Sequence, residues 1–135
     1  MIPDTDDAFV EDFESCRIAN STFRHADHIR LAWIYLCRHG YPEAEARMRE
    51  GIRRLAVHAG APGKYHETMT IAWMRLVAVG LALSPQAGTF ADFSRAHAWL
   101  LDKNAVLAFW SRERLMGDTA RAQWIDPDMK ALPAV

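Results

Sequence analysis

The stretch IRLAWIYLC, residues 29–37, holds one charged residue in nine and is apolar on almost every side of a helix. A helix with no polar face belongs in the middle of a core rather than on its surface. That reading predicts a central helix over 24–39, stopped at Gly40. The rest of the chain arranges itself around it.

Upstream, residues 4–16 carry Phe9, Val10, Phe13 and Cys16 as an apolar stripe, and Asp4, Asp6 and Asp7 suit the positive end of a first helix. RIANSTF, residues 17–23, reads as loop. Downstream, Pro42 opens a third helix that ends near Gly60. A fourth runs over 66–83 and is stopped by Ser84-Pro85. A fifth follows Thr89 as far as Leu101, a short sixth spans 104–110, and the tail reads as helical turns with an extended end. Period-2 alternation is missing, and β-branched residues never form a run. The prediction is an all-α fold, one compact bundle of five to six helices occupying 1–135 as a single domain.

Composition narrows the function. Half the residues are hydrophobic, and the formal charge of -1 argues against a nucleic-acid binder, which carries a basic excess. Arg47, Arg49, Arg53 and Arg54 are interleaved with Glu43, Glu45 and Glu50, as on a solvated helix face. The longest apolar run, 71–83, is 13 residues interrupted by Arg75, too short to span a bilayer. Cys16 and Cys37 are too few for a disulfide scaffold. No signal peptide is evident at the start, and a cytoplasmic location is expected.

The chemistry gathers at histidines. His25 and His28 are spaced i, i+3 at the start of the second helix, about 60° apart on its surface, and share the inward face of Ile29, Ala32 and Leu36. Asp27 lies off that face, as a first-turn carboxylate. In APGKYHETMTIAW, residues 61–73, His66 begins the fourth helix in line with Thr70, Trp73 and Val77. If the two helices pack face to face, three imidazoles converge. Three histidines with an open position form a ligand set used by catalytic zinc and suited also to iron or copper. Glu67 could then serve as fourth ligand, second-shell acceptor or general base, and Tyr65 could orient a substrate. Helix N-termini lower a histidine's pKa, favouring the neutral ring. His39 and His58 precede helix-ending glycines, as basic residues do, and His97 sits on the fifth helix as a core candidate.

The sequence excludes several sites. HETMT has Thr70 where a zincin helix needs its second histidine, no histidine precedes an aspartate, and no glycine-rich phosphate loop occurs. Trp33 and Trp73 sit mid-helix as core, and Met48, Met69, Met74 and Met116 read as gap-fillers. Asp102-Lys103-Asn104, between Trp99 and Trp110, reads as a turn that could cap a pocket.

With FRHADHIRLAWIYL, GKYHETMTIAW, the Leu100-Leu101 pair, an aromatic-Ser turn and the WIDPD end, the chain resembles, over most of its length, a group of small, largely uncharacterised bacterial all-α proteins. The resemblance implies that His25, His28, His66 and Glu67 form one recurring constellation, and it brings no activity, cofactor or substrate.

The function expected from these residues is a metal-dependent enzyme, hydrolytic or oxidative. It would hold one divalent transition metal (Zn, Fe or Cu) on His25, His28 and His66 and act on a small molecule, with Glu67 and Tyr65 as catalytic residues. The alternatives are a non-catalytic ligand- or partner-binding module with structural histidines, and a metal-free His/Glu acid–base enzyme.

Overall fold

In the computed structural model, which describes residues 5–134, the fold is all-helical, with no strand among the described residues. The described residues form seven α-helices: α1 (Thr5–Glu14), α2 (His25–His39), α3 (Tyr41–His58), α4 (Glu67–Leu83), α5 (Phe90–Ala96), α6 (Arg112–Leu115) and α7 (Asp118–Ala122). Short 3-10 turns link them at Asn20–Thr22, Pro62–Lys64, Ala98–Leu101 and Ala105–Ala108. No helix among the described residues is long and apolar enough to cross a membrane.

The 29–37 stretch lies where its composition places it. Residues 31–36 are all buried, and α2 packs against both α3 and α4, which also pack on each other. Each large side chain removed from water there contributes about 1.5–3 kcal/mol. α4 is buried on most of its surface, with Ala72, Met74, Leu76 and Val77 inaccessible. Two glycines permit close packing. A Cβ at Gly51 of α3 would overlap the Phe13 ring edge of α1, and one at Gly80 of α4 would sit 3.0 Å from Phe93 of α5.

Local chemistry sets the helix ends. The Arg24 backbone N–H donates to Asp27 Oδ2 at 3.0 Å, so Asp27 ties down the start of α2 as well as sitting in its first turn. Thr89 Oγ1 accepts the Asp92 N–H to start α5. α1 is shorter than the sequence stripe suggested, because Cys16 turns out of the helix at φ 58°. Asp4, read as part of that first turn, lies outside the described residues. The expected single helix from Thr89 to Leu101 is divided. His97 leaves the helical region at φ -131°, ψ 53°, and the chain resumes as a 3-10 turn. The expected helix at 104–110 is likewise a 3-10 turn.

The tail is strapped to the core. Thr68 Oγ1 donates to the Gln123 carbonyl at 2.7 Å and accepts the Ile125 N–H at 3.2 Å. Trp110 Nε1 donates to the Ile125 carbonyl, and Asp128 accepts both the backbone N–H and the hydroxyl of Ser111. α7 packs on α4, and the segment bearing α6 brings Arg112 and Met116 to a cleft at the beginning of α4.

Candidate ligand-binding cleft

The beginnings of α2 and α4 meet at a cleft of about 490 Å³ lined by His25, His28 and His66 together. The sequence expectation that two separate helix starts bring three imidazoles to one cavity therefore describes the geometry. Met48 and Ile52 of α3, with Met69, Trp73 and Met74 of α4, supply apolar walls. Lys64, Lys103, Asn104 and Arg112 stand around the opening. The His25 ring meets the Trp73 ring edge-on at 4.5 Å, and the His28 ring lies 4.3 Å from that of Phe23.

The three rings have different hydrogen bonds, and those bonds fix their protons. His66 precedes α4 as its N-cap, and its Nδ1 accepts the Met69 backbone N–H at 3.1 Å. A backbone N–H can only donate, so Nδ1 carries a lone pair. The other nitrogen, Nε2, then carries the proton and donates to the Leu115 carbonyl at 2.7 Å. Both nitrogens of His66 are committed to backbone. His25 Nε2 donates to the Leu100 carbonyl at 2.8 Å, which leaves Nδ1 with a lone pair in the neutral ring. Among the described residues, neither ring nitrogen of His28 has a hydrogen-bond partner.

All three imidazoles are held below the ordinary histidine pKa. Burial is the main cause in each case. For His28 the neighbouring His25 adds to it, and the ring falls to about 4. For His25 and His66 the carbonyls of Leu100 and Leu115 oppose the lowering without reversing it. The direction matches the one inferred from helix termini, but desolvation is the dominant cause.

Glu67 and Tyr65 are placed elsewhere. The Glu67 carboxylate is bidentate with Arg49 of α3, at 3.0 and 2.6 Å, and lies 3.5 Å from Arg53. The Tyr65 hydroxyl donates to the same carboxylate, and Arg53 stacks over the Tyr65 ring at 4.7 Å. Burial alone would raise the Glu67 carboxyl, but the Arg49 and Tyr65 bonds outweigh it and hold the group below the usual carboxylate range. Burial and the bond to Glu67 push the Tyr65 phenol up to about 12. Neither side chain lines the cleft. Together they form a clasp between α3 and the start of α4.

Among the described residues, no group of three or more His, Cys, Asp or Glu side chains is set to hold a metal ion. As a ligand, His66 would have to surrender its helix cap or its bond to Leu115. The remaining histidines are accounted for locally. His97 is buried with Nε2 2.8 Å from Ser84 Oγ, His39 pairs with Glu43, and His58 is exposed at the end of α3. Sequence reasoning missed Lys64, Lys103 and Arg112 at the cleft mouth. Its one pointer was the polar break 102–104, read there as a turn.

Comparison with protein-family models, with curated proteins and with solved structures finds no significant match for the chain.

Proposed function

We propose that the cleft at the start of α2 and α4 is a binding site for a small molecule, with His28 as its principal hydrogen-bonding group. The observation that carries this reading is the unequal use of the three rings. Backbone groups take both nitrogens of His66 and one of His25, while His28 has none of its own. His28 lines the cleft, and a ring nitrogen there with no protein partner is free to accept a ligand O–H or N–H. The walls of Trp73 and methionine fit the usual form of a small-molecule site, mostly apolar with a few placed polar groups. With a pKa of about 4, His28 is a weak base at neutral pH, so the geometry favours binding over proton transfer.

The experiment is a thermal-shift screen of small polar-headed compounds, followed by titration of each hit against wild type and His28→Gln. The expected result is that hits stabilise the wild type and bind the variant at least about tenfold more weakly, the equivalent of one buried hydrogen bond. Hits that bind both proteins equally would place the ligand elsewhere.

A second reading keeps a metal. His25 donates Nε2–H to a backbone carbonyl, and an imidazole that ligates a metal through its other nitrogen makes such a bond. One divalent ion (Zn, Fe or Cu) would then rest on His25 and His28, with exogenous ligands completing its shell and a small-molecule substrate entering there. Metal analysis of purified protein separates the two readings. Stoichiometric metal lost in His28→Ala supports the second.

A further inference from the structure

We infer that the ligand of this cleft is an organic anion with an apolar body, its negative group held between Lys103, Arg112 and Lys64. This rests on the reading of the cleft as a small-molecule site. The chain as a whole carries one negative charge, yet the cleft lining includes three cations and no carboxylate. Those three cations are unpaired with any carboxylate among the described residues. Several arginines elsewhere do pair, among them Arg30 with Asp6, Arg38 with Asp7, Arg49 with Glu67 and Arg54 with Glu50. The carboxylates adjacent in sequence, Asp102 and Glu113, lie outside the lining, and Asp102 accepts the Asn104 backbone N–H with Oδ1.

A cleft wall of one sign beside low-dielectric walls concentrates its field on the entering ligand. In the same lining, the partly exposed Met69 and Trp73 offer a surface that a hydrated inorganic anion would not use. The chemistry that satisfies both halves is a carboxylate, sulfonate or similar head on an aromatic or aliphatic body. The neutral imidazoles add no positive charge, so the head is recognised at the mouth and the body is buried beneath it.

The test uses 8-anilinonaphthalene-1-sulfonate, its uncharged analogue N-phenyl-1-naphthylamine, and inorganic phosphate. The shift of the Trp73 indole N–H in labelled protein reports occupancy of the cleft itself. The sulfonate is expected to bind at least about tenfold more tightly than the uncharged dye at low salt, with the advantage shrinking as salt rises. Lys103→Gln with Arg112→Gln, both exposed positions, should erase that advantage and leave the uncharged dye unaffected. Equal binding of the two dyes, or an advantage that survives the double substitution, overturns the anion inference and leaves the cleft reading standing. Phosphate displacing the sulfonate as well as an organic acid does overturns the apolar half. If neither dye moves the Trp73 signal, the small-molecule reading falls, and this inference with it.

Discussion

His66 Nε2 donates to the Leu115 carbonyl at 2.7 Å, joining the first residue before α4 to the last residue of α6 across 49 positions of chain. The same ring caps α4 through Nδ1. One imidazole thus starts a core helix and anchors the segment that carries Arg112 and Met116 to the cleft.

His66→Ala removes both bonds and leaves the Leu115 carbonyl without its partner. A lost cap costs about 0.5–2 kcal/mol and an abandoned buried acceptor about 1–3. Urea unfolding at pH 7 should show a loss of about 2–4 kcal/mol, with His66→Asn recovering about 1 because it keeps the cap. A loss under about 0.5 kcal/mol would mean that the cap is replaced by solvent.

Glu67 is predicted to stabilise rather than to catalyse. Glu67→Gln weakens the bidentate pair with Arg49, and the expected loss is about 1–3 kcal/mol, moderated because the Arg49 side chain keeps 35% of its surface exposed. A double-mutant cycle of Arg49→Ala and Glu67→Ala should give a coupling of about 1–2 kcal/mol. Binding of cleft ligands should change less than about twofold in Glu67→Gln, a free-energy change below roughly 0.4 kcal/mol. Abolished binding in a folded Glu67→Gln protein would return this carboxylate to the site.

Gly51→Ala tests the packing of α1 on α3. Alanine favours a helix by about 1 kcal/mol, but its methyl would meet the fully buried Phe13 ring, and overpacking costs about 1–3. The net expectation is destabilisation by about 1–2 kcal/mol in thermal unfolding, and the variant Gly51→Ala with Phe13→Leu should recover part of it. A stabilised Gly51→Ala would show that α1 is free to slide outward.

The fold was legible because its deciding signals are local. An apolar stretch with no polar face at 29–37, a second at 71–83, and stops at Gly40 and Ser84-Pro85 settle helix type and length without tertiary knowledge. The convergence of His25, His28 and His66 was legible for the same reason, since inward faces must meet when α2 and α4 pack. Two things were not. The partners of the rings are the carbonyls of Leu100 and Leu115, which every residue possesses and which no residue type announces. The role of Glu67 depends on Arg49, 18 positions away on a face that reads as solvated. The breaks at His97 and after Asn104 escaped notice because 3-10 turns share the apolar spacing of a short helix.

Acid should weaken the fold in a way that reads out His28. Its folded pKa of about 4 lies below the ordinary 6.5, so between these values the unfolded chain binds a proton that the folded protein refuses. Stability therefore falls as pH drops from about 6.5 to 4, by about 3 kcal/mol from this group. His25 and His66 shift in the same direction, and the depressed Glu67 carboxyl adds its own loss as it is protonated. Urea midpoints taken from pH 7 to pH 4 should decline steeply in wild type and less so in His28→Gln. Parallel curves would show that His28 titrates in the folded protein as it does in the unfolded chain.

Long-range nitrogen–proton correlation spectra of the histidine side chains, followed from pH 7 to pH 4, observe the ring protons directly. His25 and His66 are expected as neutral rings protonated at Nε2, and His28 as a ring that stays neutral through pH 5 and titrates near 4. A His28 ring already protonated at pH 6, or a His66 ring with its proton on Nδ1, would contradict that assignment.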